Sequence, residues 1–210
     1  MNKRAAQKLQ RRQNIIDAAK ELFLQKSIQD VQLQDVAKAV DIGIATLYRY
    51  FKNKEQLIFA VNNVITAQML QAIETIYEQP MSGYAQIEKV FDYYVQLTDD
   101  SEHQFVKFIK AFEGYQSTIE ESDELADYIT IRRRMASTLL KIVARGREDG
   151  SLRTDIDLDM YIMTTVQNIS TFMTESSSAV HDAQLNVDMA PKKQMLLLKD
   201  MFLQYVRANR

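Results

Sequence analysis

Apolar residues recur along this chain at intervals of three and four, and no stretch alternates apolar with polar over the length of a strand. Leu33, Val36, Ala37 and Val40 share one face of a short helix, which Asp41-Ile42-Gly43 interrupts. A second short helix restarts with Leu47 and Phe51 inward, one turn apart, leaving Ile44, Thr46, Tyr48, Arg49 and Tyr50 largely outward. Asn53 with Gln56 three residues later reads as the cap of a further helix. That helix runs to about Tyr77 and stops before Pro80-Met81-Ser82-Gly83, the clearest breaker cluster in the chain. The next covers about Tyr84 to Leu97, with Ile87, Val90, Phe91, Tyr94 and Val95 on its buried side. Ser101 and Gln104 form a capping box for a helix ending near Gly114. The pattern then predicts helices over about Asp123–Glu148, Asp157–Ser177 and Pro191–Ala208, the last opening on a proline suited to a first helical turn. The expected fold is all-α, with about nine helices.

Five glycines and two prolines in 210 residues fit long uninterrupted helices. There are no cysteines, which excludes disulfides, thiol catalysis and cysteine-ligated metals. No stretch approaches the ~20 apolar residues that span a bilayer, and the N-terminus has no signal-peptide run, so the chain is expected to be soluble and cytoplasmic. The net charge of −2 is unevenly divided. Residues 1–54 hold eleven Lys or Arg against five Asp or Glu, a charge of +6. The rest holds 15 basic and 23 acidic residues, a charge of −8. A basic head on an acidic body suits a partner that is a polyanion. The same imbalance also arises on solvated helix faces, so charge alone does not decide the matter.

The residues of the head carry a resemblance. Ile15, Ala18, Ala19, Leu22 and Phe23, then Asp35-Val36-Ala37, then Thr46-Leu47-Tyr48-Arg49-Tyr50-Phe51 followed by Lys54-Glu55-Gln56-Leu57, are similar to the DNA-binding head of the TetR family of bacterial repressors. The likeness runs from about Arg11 to Asn62. Three positions depart from the family's habit: Gln32 stands at the cap of the second helix, Asp41-Ile42-Gly43 forms the turn, and Ile44 followed by Ala45 opens the recognition helix. Asp tolerates the left-handed region and Gly is an acceptable N-cap. Ile44 offers apolar contact, such as to a thymine methyl, in place of a polar one. The resemblance implies a helix-turn-helix domain over 9–69, with its motif at about 32–51. It implies a ligand-binding and dimerisation domain over 70–210.

Two groups in that second part attract attention. Ile162, Val166, Ile169 and Met173 make one stripe, and Leu198, Met201, Phe202 and Tyr205 with Met195 make another. Tyr161, Thr165, Phe172, Leu197 and Leu203 widen both faces beyond what one packing partner needs, which suggests a dimer interface. The bland account, that both stripes face the chain's own core, stays open. Tyr94, Phe105, Phe108, Phe112 and Tyr128 (with Tyr93 and Tyr115) have the make-up of a ligand pocket, and equally of an ordinary aromatic core. Arg132-Arg133-Arg134 reads as a solvated face or salt-bridge partner, and His103 and His181 as surface residues without metal-ligand spacing.

No nucleophile elbow, P-loop or dinucleotide fingerprint is present, and no cofactor or metal is called for. The sequence reading is a non-enzymatic regulator that binds a palindromic operator in double-stranded DNA as a homodimer and is released by a small-molecule effector. Ile44, Ala45, Thr46, Tyr48, Arg49, Tyr50 and Lys54 are its expected DNA contacts, with Lys3, Arg4 and Lys8 adding backbone or minor-groove contacts. A helical adaptor protein, or an enzyme built from scattered residues, are the competing readings. Neither explains why Tyr48, Arg49, Tyr50 and Lys54 fall together on the +6 head.

Overall fold

The computed structural model describes residues 3–98, 103–115, 120–176 and 190–208. These form nine α-helices: α1 (Lys3–Gln25), α2 (Leu33–Ala39), α3 (Ile44–Tyr48), α4 (Lys54–Glu78), α5 (Gly83–Gln96), α6 (His103–Glu113), α7 (Asp123–Glu148), α8 (Leu158–Ser176) and α9 (Pro191–Val206). Among the described residues there is no strand, only an isolated antiparallel bridge between Leu152 and Arg207. None of the described helices is long and apolar enough to cross a membrane. His181 and the Ser101 end of the expected capping box lie outside the described residues, as do the side chains of His103, Gln104 and Phe105.

The chain divides into two compact units, one of Met1–Ala67 with Lys107–Ile131, the other of Gln68–Val106 with Arg132–Arg210. The sequence places residues 107–131 in the second domain, whereas they pack with the head. The reason is aromatic. The Phe59 ring of α4 meets Phe112 at 4.9 Å and Tyr128 at 5.6 Å, both edge-on, and Phe108 stacks on Phe23 of α1 at 6.2 Å. Phe108 and Phe112 are therefore core of the first unit, with Tyr128 half-buried against them. Tyr94 is fully buried in the core of the second unit, where desolvation pushes its phenol up to about 12 despite a hydrogen bond with Ser170. Of the residues expected to line a pocket, Tyr94 thus falls in one unit and Phe108, Phe112 and Tyr128 in the other. Helical spacing reveals that a face is covered without saying by what.

The second unit is held by close approach and by capping. A Cβ at Gly83 would lie 2.3 Å from the Gly146 backbone nitrogen, so the start of α5 crosses α7 at a point only glycine allows. The Gly83 and Tyr84 amides at the start of α5 donate to Asp149 Oδ2 (2.8 Å) and Ser151 Oγ (3.0 Å). Buried Gln86 donates through Nε2 to the carbonyls of Ile76, Tyr77 and Gln79 at 2.8–3.1 Å, and Arg145 donates to the Tyr77 carbonyl at 2.8 Å, closing the end of α4. Arg134 pairs with Glu74 at 2.8 Å, in keeping with a salt-bridge reading of the arginine run.

The terminal helices bring a correction. Ile162, Val166, Ile169 and Met173 all lie in the core of their own unit, as do Met195 and Leu203. The α8 stripe is therefore internal, because a helix with one apolar stripe buries it on its nearest neighbour first. Leu198 and Phe202 are half-buried against the same core. The outward apolar surface is carried instead by Met160, Met163, Leu196, Leu197, Met201 and Tyr205. Of the residues expected at an interface, Met201 and Tyr205 remain exposed.

Candidate nucleic-acid interface

The head is built around a two-helix corner. The start of α2 is fixed by Asp35, whose carboxylate accepts from the Gln32 amide at 2.9 Å, so the glutamine cap is stabilised from the residue three positions on. At its end, Ile42 N–H bonds to the Ala37 carbonyl (3.0 Å) and Asp41 N–H to that of Lys38 (3.2 Å), with Asp41 at φ +51°. This is a Schellman closure with aspartate in the left-handed position that glycine usually takes. Gly43, in extended conformation, then caps α3. The departures from family habit at Gln32 and Asp41-Ile42-Gly43 leave the corner intact.

The five-residue α3 has one buried anchor, Leu47, and Phe51 just beyond it is also buried. Tyr48 and Arg49 are exposed, Ala45 is exposed, and Thr46 and Tyr50 are half-buried. Arg49 Nη2 donates to Thr46 Oγ1 at 3.2 Å, so the two polar side chains occupy one patch. Ile44 is half-buried rather than outward, which limits it to a partial apolar contact. The α4 start is closed by reciprocal bonds, Gln56 N–H to Asn53 Oδ1 (2.9 Å) and Lys52 N–H to Gln56 Oε1 (2.9 Å). Lys54 Nζ donates to the Gln29 carbonyl at 3.3 Å, and desolvation lowers its pKa against the pull of Glu55 and Asp30. One of its three donors is thus occupied.

Arg12 was not singled out by its sequence position and yet organises this unit. Its guanidinium lies 5.0 Å over the Phe51 ring and bonds Glu124 at the start of α7 at 2.9 Å, while Asn63 Nδ2 donates to the Glu124 carbonyl at 2.8 Å. Phe51, just beyond α3, is thereby fixed by α1, α4 and α7 together. The sequence signal was available only in part: Glu124 reads as an ordinary first-turn acid. Among the described residues, no group of three or more His, Cys, Asp or Glu is placed to hold a metal ion.

Residues 15–61 match the family described as bacterial regulatory proteins, tetR family. An HTH-type transcriptional regulator of Staphylococcus aureus (strain bovine RF122 / ET3-1) is 29% identical over 93 residues, 44% of this chain and 50% of that protein. The chain spans about half the length of the curated relatives it matches. A putative transcriptional regulator from Saccharomonospora viridis, solved in complex with choline, superposes with a TM-score of 0.73 at 14% identity, over 94% of this chain and 98% of that one. The TetR-family regulator PfmR from Thermus thermophilus gives 0.64 at 18% identity, over 90% and 97%. At such identities the structural likeness speaks for the fold, and the family likeness is confined to the head. Residues 15–61 thus match the tetR-family model, and the chain as a whole shares the fold of the solved regulators it superposes on.

Proposed function

We propose that the chain is a transcriptional regulator that binds a palindromic DNA operator as a homodimer, setting α3 of each copy in successive major grooves, and that a small organic effector releases it. The observation that carries this reading is the α3 surface. A helix held by a single buried leucine presents Arg49, Thr46 and Tyr48 together beside exposed Ala45, whose small side chain permits close approach. Arginine pairs with guanine O6 and N7 as its commonest specific contact, so Arg49 reads bases. Tyr48, Thr46, Tyr50 and Lys54 hold phosphates, and Ile44 supplies a partial methyl contact.

Dimerisation is supported by the outward apolar surface of α9 and the start of α8. Leu197, Met201 and Tyr205 fall at i, i+4 and i+8, with exposures of 62%, 57% and 50%. The effector reading draws on the Saccharomonospora viridis relative, which was solved with choline. Selection of duplexes from a random library by the native chain, followed by sedimentation of the complex, tests the reading. It expects a palindromic consensus bound by two chains. Recovery of unenriched sequence, or of a complex with one chain, contradicts it.

A further inference from the structure

Arg12 adds to the positive charge of the head, yet its guanidinium faces the protein. The side chain is 33% exposed, and Nη2 bonds Glu124 Oε1 at 2.9 Å, where the glutamate side chain is 9% exposed. That burial separates the pair from the exposed ion pairs that contribute little. Losing the guanidinium would leave the carboxylate charge covered and unpaired. The same guanidinium lies 5.0 Å over the ring of Phe51, which is fully buried. Phe51 N–H in turn bonds the Leu47 carbonyl at 3.0 Å, and Tyr50 N–H bonds the same carbonyl at 2.8 Å. Leu47 is the one buried side chain of α3. A line of direct contacts thus runs from Glu124 through Arg12 and Phe51 to the last turn of α3. On the α4 side, Asn63 Nδ2 holds the Glu124 carbonyl, while Asn63 Oδ1 and both polar side-chain atoms of Asn62 are buried without a hydrogen-bond partner. The Arg12 pair therefore supplies the charged bond in a seam otherwise short of polar partners.

We infer that Arg12 is a positioning residue for DNA recognition: held by Glu124, it fixes the orientation of α3 through Phe51 and does not itself touch DNA. The inference rests on the DNA-binding reading above. Two accounts of the pair then differ in sign. If charge alone mattered, Glu124→Gln would remove a negative charge from the first unit and strengthen its hold on a polyanion. If position matters, the same change frees the Arg12 guanidinium, loosens Phe51 and weakens DNA binding.

The test uses the full chain and a duplex selected from random sequence by the native protein, at a temperature where circular dichroism shows the variants folded. Glu124→Gln and Arg12→Gln should each weaken binding about tenfold, and the double variant no further than either alone, since both break one pair. The slope of log affinity against log salt should stay native in all three. A phosphate contact by Arg12 would instead lower its magnitude by about one per head. Hydrogen exchange at the Tyr50 and Phe51 amides should quicken while the Val61 and Ile65 amides of α4 keep native rates; a pair that only stabilises its unit would quicken all four. If Glu124→Gln does not fold, Glu124→Asp, one methylene short of Arg12, takes its place with the same expected direction. Unchanged or tighter binding by the Glu124 variant overturns the positioning role and leaves DNA binding by α3 standing. A lower salt slope in Arg12→Gln overturns it in favour of a phosphate contact. If the native chain enriches no duplex, the positioning role falls together with the DNA-binding reading.

Discussion

Helix α3, proposed to read DNA, and the terminal helix α9 make an instructive pair. Each anchors a buried edge, Leu47 in one and Met195, Leu203 and Val206 in the other, and each leaves part of its surface exposed. At α3 the exposed side chains include Tyr48 and Arg49, with Thr46 half-buried beside them, rich in donors; on α9 Leu197, Met201 and Tyr205 add large apolar side chains to an exposed surface that also carries Lys192, Lys193, Asp200 and Gln204. A donor-rich face costs little in water and gains when it meets phosphates and base edges. Exposed large apolar side chains gain only when water leaves them, which is why they are read under the proposed function as a protein contact. The chemistry of what a helix leaves exposed, more than the stripe it buries, indicates its partner.

The comparison is most easily broken by moving charge between the buried and exposed edges of the terminal helices. Ile169→Asp sets an unpaired carboxylate in the core of the second unit and should cost about 4 kcal/mol or more, leaving the chain unfolded by circular dichroism. Met201→Asp should change intrinsic stability by less than about 0.5 kcal/mol yet give folded monomers in sedimentation. A folded, dimeric Ile169→Asp would show that the α8 stripe had been misplaced. Next in size is Gly83→Ala: with Gly146 backbone 2.3 Å from the new Cβ, overpacking should cost about 1–3 kcal/mol in urea titration. An unchanged midpoint would mean that α5 and α7 do not meet at these glycines.

Smaller effects sharpen the picture at the two capped corners. Desolvation raises the Asp149 pKa, but hydrogen bonds from Ser151 and Gly83 and the charge of Arg145 outweigh it, so the net shift is downward. A depressed carboxyl stabilises the fold above its unfolded pKa of about 3.9 and loses that contribution as pH falls through the folded value. Asp149→Asn should therefore flatten the acid limb of a stability–pH profile and leave its neutral-to-basic shape alone. Smallest of all, Asp41→Gly should relieve the left-handed aspartate at φ +51° and change stability by less than about 1 kcal/mol, measured by thermal melting. A large loss would instead give the Asp41 side chain a role of its own.

The head was legible because its signals are local. Asp41 in the left-handed region, Gly43 at the cap, Asn53 with Gln56, and Leu47 with Phe51 each act within one turn, and each appears where the spacing puts it. What failed to read were pairings across long separations. Phe108, Phe112 and Tyr128 were visible as an aromatic face, but nothing near them in sequence announces Phe23 and Phe59 as their partners. The Arg12–Glu124 pair joins residues 112 positions apart. On α8 and α9 the periodicity correctly marks amphipathic helices and cannot say which of two apolar faces is covered at home. The surplus was visible at Leu197, which is exposed, and misleading at Leu203, which is buried.

The central claim is that α3 reads bases through Arg49, and it is tested most directly by titrating native chain and Arg49→Ala against every single-base variant of the selected half-site. The account predicts one guanine whose replacement costs the native protein about 1–3 kcal/mol and leaves Arg49→Ala nearly indifferent, while all other positions keep their rank. Equal loss by Arg49→Ala on every variant would contradict it, making Arg49 a phosphate contact and moving specificity off this residue.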